Sequence, residues 1–269
     1  MSVLPTYFIP HGGGPWPFMD MPPNETAEHE RLATFLRNLI ADVGERPRAI
    51  LVISAHWETQ TSRVMSGKSN SMLYDYGGFP ANTYELRYPA PGAPDVAKRV
   101  QELFEAAGLP IEKDSSRGLD HGTFIPFMLV APDAKIPVIQ LSLVRGLDPA
   151  RHIAIGRAIA PLREEGVLIV GSGMSYHNMR EFFNPTGTSE ARGSTAFDTW
   201  LTNAVTSDPQ TRTQRLTNWT TGESAREAHP REEHLLPLMV VAGAAANDPG
   251  KHVFTGKLFN AQVSGYKFG

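Results

Sequence analysis

Three histidines follow apolar, strand-like runs, close to the point where each run ends. PTYFIP leads to His11, AILVISA leads to His56, and VLIVGSGMSY leads to His177. In an open α/β sheet, ligands bind where parallel strands end. Imidazole is the commonest metal-ligating side chain and a proton carrier near neutral pH. The pattern therefore predicts several imidazoles meeting at one sheet edge in a metal-centred active site.

Two further histidines have neighbours suited to chemistry. His121 lies in the glycine-flanked stretch GLDHG, where Asp120 could orient an imidazole, although a plain Asp-rich turn explains the stretch equally well. His234 follows Glu232 and Glu233 at a predicted helix start, where acidic residues are favoured by the helix dipole. Both histidines are therefore kept as candidates.

The remaining four histidines are predicted to have no catalytic part. His29 and His152 lie in predicted amphipathic helices beside charged residues, which indicates solvated surface positions. His252 lies in the polar stretch NDPGKH, which is typical of a turn. His229 precedes Pro230, and we predict that it caps a helix start rather than lines the site.

Several familiar catalytic motifs are absent. Three glycines follow His11, but the stretch lacks the Lys and Ser/Thr of a phosphate-binding P-loop. GSGMS at 171–175 does not match the G-x-S-x-G nucleophile elbow. His229 and His234 are five residues apart, so they do not form the H-E-x-x-H motif of zinc proteases. The chain contains no cysteine, so any metal must rest on nitrogen and oxygen ligands.

Imidazole ligands alone leave the metal and the reaction open. Zinc would generate hydroxide for hydrolysis, whereas Fe(II) would bind a substrate together with O₂. A non-catalytic metal- or partner-binding protein is a third alternative. Aromatic residues in the loops are predicted to line a pocket for a flat substrate, although several could equally be core; they are Trp16, Phe18, Trp57, Tyr74, Tyr76, Phe79 and Tyr84.

Composition excludes several classes of protein. The chain has 269 residues, 41% of them hydrophobic and 20% charged, with a net charge of −3. That balance is typical of a globular protein, and we expect one domain over residues 1–269. No basic stretch could track a phosphate backbone, so a nucleic-acid partner is not expected. No apolar run reaches membrane-spanning length, and the N-terminus lacks signal-peptide features, so a cytoplasmic monomer or small homo-oligomer is expected.

Apolar runs alternate with amphipathic stretches along the chain. This alternation predicts an α/β fold, a single layered domain with a central, largely parallel or mixed sheet flanked by helices. A long aromatic loop at 74–94 is predicted to form a pocket wall, and polar residues 207–228 a mobile excursion. Strands are predicted at 3–9, 48–55, 136–143, 167–171 and 253–259, and helices at 26–43, 93–107, 149–165 (kinked at Pro161), 194–206 and 231–246.

Five ordered blocks resemble the class III extradiol ring-cleavage dioxygenases, in the branch related to DOPA 4,5-dioxygenase (LigB-type). The blocks are FIPHGGG at 8–14, ISAHW at 53–57, YGGFP with YPAPG at 76–92, LDHGTF at 119–124, and SYHN followed by EEHLLPL. Their order and spacing extend the resemblance from Phe8 to about Ala245. The resemblance implies an Fe(II) enzyme that opens the ring of a small aromatic diol with O₂, with Zn(II) possible in place of iron.

The resemblance also implies roles for individual residues. His11, His56 and His234 would hold the metal, with Glu233 as the reserve ligand, because some relatives use a glutamate. His177 would act as acid and base beside the metal, and His121 would lie near the substrate hydroxyls. Gly13 stands where this branch often has a serine, which removes a hydroxyl near the metal. The predicted pocket comprises Gly13, Trp57, Phe79 and Arg180, with Arg180 or Arg117 available to a substrate carboxylate.

Overall fold

One mixed sheet of eight strands forms the centre of the computed structural model, which describes residues 3–183 and 190–269. The spatial order is β4-β3-β5-β2-β6-β1-β8-β7. In chain order the strands are β1 (Thr6–Pro10), β2 (Ala49–Thr59), β3 (Ser62–Met65), β4 (Ile111–Asp114), β5 (Val138–Val144), β6 (Val167–Gly173), β7 (Gly250–Leu258) and β8 (Ala261–Phe268).

The four central strands, β5, β2, β6 and β1, run parallel to one another. Their near-continuous apolar sequences are buried on both faces, as expected for parallel strands covered by helices. β8 pairs antiparallel with β1, and β7 pairs antiparallel with β8, so the β7–β8 hairpin adds two strands to the side of the sheet next to β1. The carboxyl ends of β1, β2 and β6 therefore meet at one edge of the sheet.

Helices cover both faces of this sheet. The apolar helix α9 packs against β6, β1 and β2 and is covered by α4, whereas α3 packs against β2 and β6 and contacts α1. The helices are α1 (Pro23–Val43), α2 (Pro94–Ala106), α3 (His121–Val130), α4 (Pro149–Ile159), α5 (Met179–Phe182), α6 (Ser194–Val205), α7 (Pro209–Thr217), α8 (Ala225–Ala228) and α9 (Leu236–Ala244). In residues 3–183 and 190–269, no helix combines the length and apolar character needed to cross a bilayer.

The predicted fold class is confirmed, and the differences lie in particular elements. The predicted excursion at 207–228 is wrong: it contains α7 and α8, with Arg212 and Trp219 buried. Asp208 caps α7 by accepting hydrogen bonds from two backbone N–H groups. The predicted helix 149–165 ends at Ile159 and continues as a 3₁₀ turn around Pro161.

Other elements were not predicted at all. β3, β4 and α3 are absent from the predicted elements. Where one closing strand was predicted at 253–259, the structure has the two strands of the hairpin β7–β8. α3 has the sequence HGTFIPFMLV, which is apolar on all sides and therefore shows no helical periodicity. The last predicted helix begins five residues later than expected, at Leu236.

Candidate active site

His11 and His56 meet at the carboxyl edge of the sheet. His11 directly follows β1, and His56 lies in the part of β2 beyond its last pair with β6 at Ser54. The register of β2 against β5 also shifts between Ile53 and Glu58. Such irregularities re-aim side chains and are common beside active sites. The Nε2 atoms of His11 and His56 lie 3.2 Å apart.

His234 joins them from the segment that leads into α9. Its carbonyl oxygen accepts a hydrogen bond from the Met174 N–H at 3.0 Å. A side chain at Gly173 would collide with that oxygen, so the close approach of the two segments requires glycine there. One ring nitrogen each of His11, His56 and His234 lie within 4.8 Å of one another. This set could hold a metal ion.

Hydrogen bonds on the far sides of two rings assign their tautomers. The Ser172 hydroxyl donates to the Gly122 carbonyl, so at 3.2 Å it accepts from Nδ1–H of His11. His234 Nδ1 lies 3.0 Å from Oε1 of Glu233 and donates to that carboxylate. In both rings Nε2 keeps its lone pair. Partners of this kind commonly fix metal-ligating histidines in orientation.

His121 is held by Asp75 in the 74–94 loop. Asp75 Oδ1 accepts from the ring Nδ1–H of His121 at 2.8 Å and from its backbone N–H at 2.9 Å. Burial opposes ionisation of Asp75, but the hydrogen bonds from the ring and backbone of His121 lower the pKa of Asp75 overall. The other Asp75 oxygen lies 3.6 Å from Nδ1 of His56. Nothing near Asp75 in the sequence signals this contact, so it was not predicted.

His177 stacks directly on His234. The ring centroids are 3.4 Å apart and the planes differ by 12°. Glu233 Oε1 lies 3.6 Å from Nδ1 of His177. Two further sets have ligand atoms within 4.8 Å of one another: His177 with Glu233 and His234, and His56 with Asp75 and His121. Glu233 therefore lies beside the first set of histidines, on the Nδ1 side of His234.

Burial keeps the imidazoles of His11, His56, His177 and His234 uncharged near neutral pH. Desolvation, reinforced by neighbouring histidines, lowers the pKa of His56 and of His177 to about 4. The same causes lower the pKa of His11 and of His234 well below the ordinary value. The neutral ring is the form that binds metals.

An apolar cavity of about 490 Å³ opens above the histidines. Of the four residues predicted for the substrate pocket, Gly13 and Phe79 line this cavity, whereas Trp57 and Arg180 lie outside its lining. Trp57 is buried with the Arg117 guanidinium 4.6 Å from its ring centroid. Arg180 is exposed and lines a neighbouring surface cleft. Around the five histidines the lining is Gly12, Gly13, Gly14, Trp16, Met19, Met21, Tyr76, Gly77, Phe79, Met174, Met179, Phe182, Phe183 and Phe259.

Asp120 supports His56 rather than its neighbour His121. The buried Asp120 carboxylate accepts from Ser54 Oγ at 2.7 Å and from Arg117 Nη2 at 2.9 Å. Ser54 Oγ in turn accepts the backbone N–H of His56 at 3.2 Å. Arg117 therefore forms an ion pair with Asp120, and it is not among the residues that line the cavity. Adjacent side chains diverge here because α3 begins at His121.

Two histidines predicted at the surface or in a turn lie elsewhere. His29 is buried, not solvated: its Nδ1 donates to the Glu25 carbonyl at 2.9 Å, and its ring lies between those of Trp16 and Phe259. His252 lies in β7, not in a turn, and its Nε2 is 2.8 Å from the Ser264 hydroxyl. Neither residue lines the cavity.

His152 and His229 also differ from their predictions. His152 is fully buried rather than solvated, because its ring nitrogens bond backbone groups of Asp148 and Val144. His229 follows α8 and lies at the end of that helix, not at a helix start. Its Nε2 donates to the Ser175 carbonyl at 2.9 Å, so the ring supports the segment that carries His177.

Comparison with known proteins assigns the family. Residues 5–267 match the model of the catalytic LigB subunit of aromatic ring-opening dioxygenase. The chain is 36% identical to the dioxygenase tasH of Hapsidospora irregularis, over 100% of this chain and 86% of the relative. It is 38% identical to the 4,5-DOPA dioxygenase extradiol of Beta vulgaris, over 92% of this chain and 89% of the relative.

A solved structure has the same fold. The crystal structure of an uncharacterized protein from Escherichia coli K12 superposes with a TM-score of 0.79 and 29% identity, over 99% of this chain and 100% of that one. Residues 5–267, which match the family model, contain all five histidines that line the cavity. The chain therefore belongs to the LigB family of aromatic ring-opening dioxygenases.

Proposed function

We propose that the protein is an Fe(II)-dependent extradiol dioxygenase that opens the ring of a catechol-type substrate with O₂. The observation that carries the proposal is the convergence of His11, His56 and His234, from three separate elements, on the floor of an apolar cavity. Membership of the LigB family and the relatives named 4,5-DOPA dioxygenase extradiol support the same reaction class.

His11, His56 and His234 would hold the metal. The ring nitrogens of these histidines suit a metal. His11 and His234 donate hydrogen bonds from Nδ1–H to Ser172 and Glu233, which leaves Nε2 of each ring available as a ligand. The Nε2 atoms of His11 and His56 face each other at 3.2 Å. A bound cation would replace the contact between these two nitrogens, and His234 offers its ring nitrogen within 4.8 Å of both. When bound, Fe(II) would supply the redox chemistry that lets O₂ react with the diol.

His177 and His121 would handle protons on the substrate. Both line the cavity beside the three proposed ligands. We propose that His177 takes a proton from a catechol hydroxyl and later returns it to an oxygen derived from O₂ as the O–O bond breaks, a contribution of ~10²–10⁴-fold for general acid–base catalysis. Asp75 holds Nδ1–H of His121, so Nε2 of His121 can accept a hydrogen bond from the second hydroxyl. The apolar walls exclude water that would divert the reaction.

Anaerobic reconstitution tests the proposal. The purified protein is loaded with Fe(II) or with Zn(II), mixed with a panel of catechols, and exposed to ¹⁸O₂. We expect O₂ uptake and a yellow ring-opened product carrying both labelled oxygens with Fe(II), and none with Zn(II). Absence of O₂ uptake by the fully Fe(II)-loaded protein across the panel would contradict the proposal. Hydrolytic turnover with zinc alone would favour the hydrolase alternative.

A further inference from the structure

We propose that the cavity selects a catechol whose ring substituent is apolar and uncharged, and disfavours one that carries a carboxylate or an amino-acid group. This inference rests on the proposed function and adds the substrate class. Three features of the structure carry it: the chemistry of the walls, the packing of Phe259 against Gly13, and the apolar rim at the cavity mouth.

The walls offer no charge to a substituent. Beyond the five histidines and Tyr76, the described residues that line the cavity are tryptophan, phenylalanine, methionine and glycine, with no Lys, Arg, Asp or Glu among them. A carboxylate on the ring substituent would lose its hydration without gaining a cationic side chain as partner.

An aromatic ring closes the wall beside Gly13. A Cβ added to Gly13 would lie 2.6 Å from Cζ of Phe259, so the phenyl ring fills the space a side chain would need. Gly13 has no positive φ, and its backbone would therefore accept another residue. Phe259 in turn packs on Phe182, with centroids 5.2 Å apart. The wall is therefore hydrophobic at Gly13, a position where a residue with a side chain could have supplied a hydroxyl or a charge.

The cavity mouth is also apolar. Met179 is 50% exposed and Phe183 is 70% exposed, and both line the cavity. They are two of the four exposed large hydrophobic residues in the described part of the chain. Exposed apolar residues grouped at one opening are typical of a ligand-binding surface. The cavity is larger than one six-membered ring, so a substituent on the ring would extend along these side chains.

Four arginines line a neighbouring cleft that borders the cavity at His177 and Met179. Arg226 pairs with Glu232 at 2.6 Å, and Arg231 pairs with Glu58 and Glu233. Arg180 and Arg192 line the same cleft together with Glu181 and Glu227, so its charges are mixed. This cleft is the rival site for a charged substituent.

A length-matched pair of substrates tests the inference. With the Fe(II)-loaded protein, kcat/KM is measured by O₂ uptake for catechol, 4-propylcatechol, 3-(3,4-dihydroxyphenyl)propionate and DOPA. We expect 4-propylcatechol to exceed the propionate by about tenfold or more, because only the carboxylate differs. Equal or better turnover of the propionate or of DOPA would overturn the inference. Failure of every substrate, bare catechol included, would instead contradict the proposed function.

Binding without turnover provides a second measurement. Calorimetric titration of the Zn(II)-loaded protein with 4-propylcatechol and with the propionate compares their dissociation constants in the absence of turnover. We expect the propyl compound to bind about tenfold more tightly. The reverse order would overturn the inference even if no substrate is turned over.

A charge placed at the rim tests the cause. Met179→Arg puts a cation at the cavity mouth, and we expect the propionate-to-propyl ratio of kcat/KM to rise about tenfold. Leu73→Arg is the matched control, since Leu73 is 37% exposed and does not line the cavity. An unchanged ratio in Met179→Arg, or an equal rise in the control, would overturn the inference.

Discussion

Two groups of buried histidines in this protein look alike by burial and by pKa but differ in what their ring nitrogens face. His11 and His234 lie at the candidate active site, whereas His152 and His229 lie in the surrounding core. Burial lowers the pKa of His152 to about 4 and that of His229 to about 3, and lowers those of the site histidines as well. Neither property therefore distinguishes a candidate ligand from a core residue.

The partners of the ring nitrogens distinguish His152 from the site histidines. His152 donates from Nδ1 to the Asp148 carbonyl at 2.7 Å and accepts the Val144 N–H on Nε2 at 3.1 Å, so the backbone satisfies both nitrogens. At the site, by contrast, the Nε2 atoms of His11 and His56 face each other. A perturbed pKa is only a probabilistic sign of function. Whether the ring nitrogens face backbone groups or other imidazoles is the more specific sign.

Removal of a proposed ligand should give the largest effect. We expect His234→Ala to lose its bound metal and to reduce turnover by at least ~10³-fold, because a catalytic metal contributes several kcal/mol to transition-state stabilisation. Metal content after Fe(II) loading and O₂ uptake measure the two losses. The core variant His152→Gln should keep its metal.

This pair of variants could also break the comparison. Full metal content in folded His234→Ala would remove His234 from the ligand set. Metal loss in folded His152→Gln would show that burial alone, rather than nitrogen direction, governs metal retention. Circular dichroism of both variants controls for folding.

Replacement of His177 should separate proton transfer from metal binding. We expect His177→Gln to lower kcat by ~10²–10⁴-fold, as for loss of a general acid–base residue, while metal content stays at the wild-type level. The stacked His234 ring keeps its bond to Glu233 in this variant. A variant with full metal and wild-type kcat would contradict the proposed role of His177, and one without metal would place His177 among the ligands.

The sequence predicted the elements whose signals are local. The apolar runs before His11, His56 and His177 are the buried strands β1, β2 and β6, because strands covered on both faces are apolar throughout. These runs were enough to predict the fold class and the meeting of the histidines at the carboxyl edge of the sheet. The roles of the individual histidines stay predictions.

Features that depend on distant contacts could not be predicted. Asp75 fixes His121 from 46 residues away, and α3 carries no periodic pattern that would reveal its start. Phe259 reaches Gly13 only because the β7–β8 hairpin folds back beside β1. His29 has charged neighbours in sequence, yet Trp16 and Phe259 cover it. In each case the deciding partner comes from another element.

Removal of the Asp75 charge should have a smaller effect than loss of a ligand. We expect Asp75→Asn to lower metal affinity or kcat/KM by ~10–100-fold, the range for a residue that orients a metal-site histidine. A competitive chelator titration and O₂ uptake measure the two quantities. Asp95→Asn is the matched control, because Asp95 pairs with Arg48 at the surface. Wild-type values in Asp75→Asn would show that the contact with His121 is only structural.

The smallest effect should come from the core histidine His152. Its pKa falls from 6.5 to about 4 on folding, so the folded protein holds the neutral ring. The stability it contributes is present above pH 6.5 and is lost as the pH falls towards 4, because the unfolded chain then binds a proton that the folded chain excludes. Between about pH 7.5 and 5.5, the free energy of unfolding should fall by about 1 kcal/mol more in the wild type than in His152→Gln.

Urea unfolding of both proteins at each pH measures this difference. Metal release and the other histidines affect both proteins equally, so the subtraction isolates His152. Protonation of its ring would break the bond from the Val144 N–H to Nε2, which joins α4 to the end of β5. Parallel pH profiles for the two proteins would mean that His152 charges without cost in the fold. In that case backbone partners would not explain why a buried histidine outside the site stays neutral.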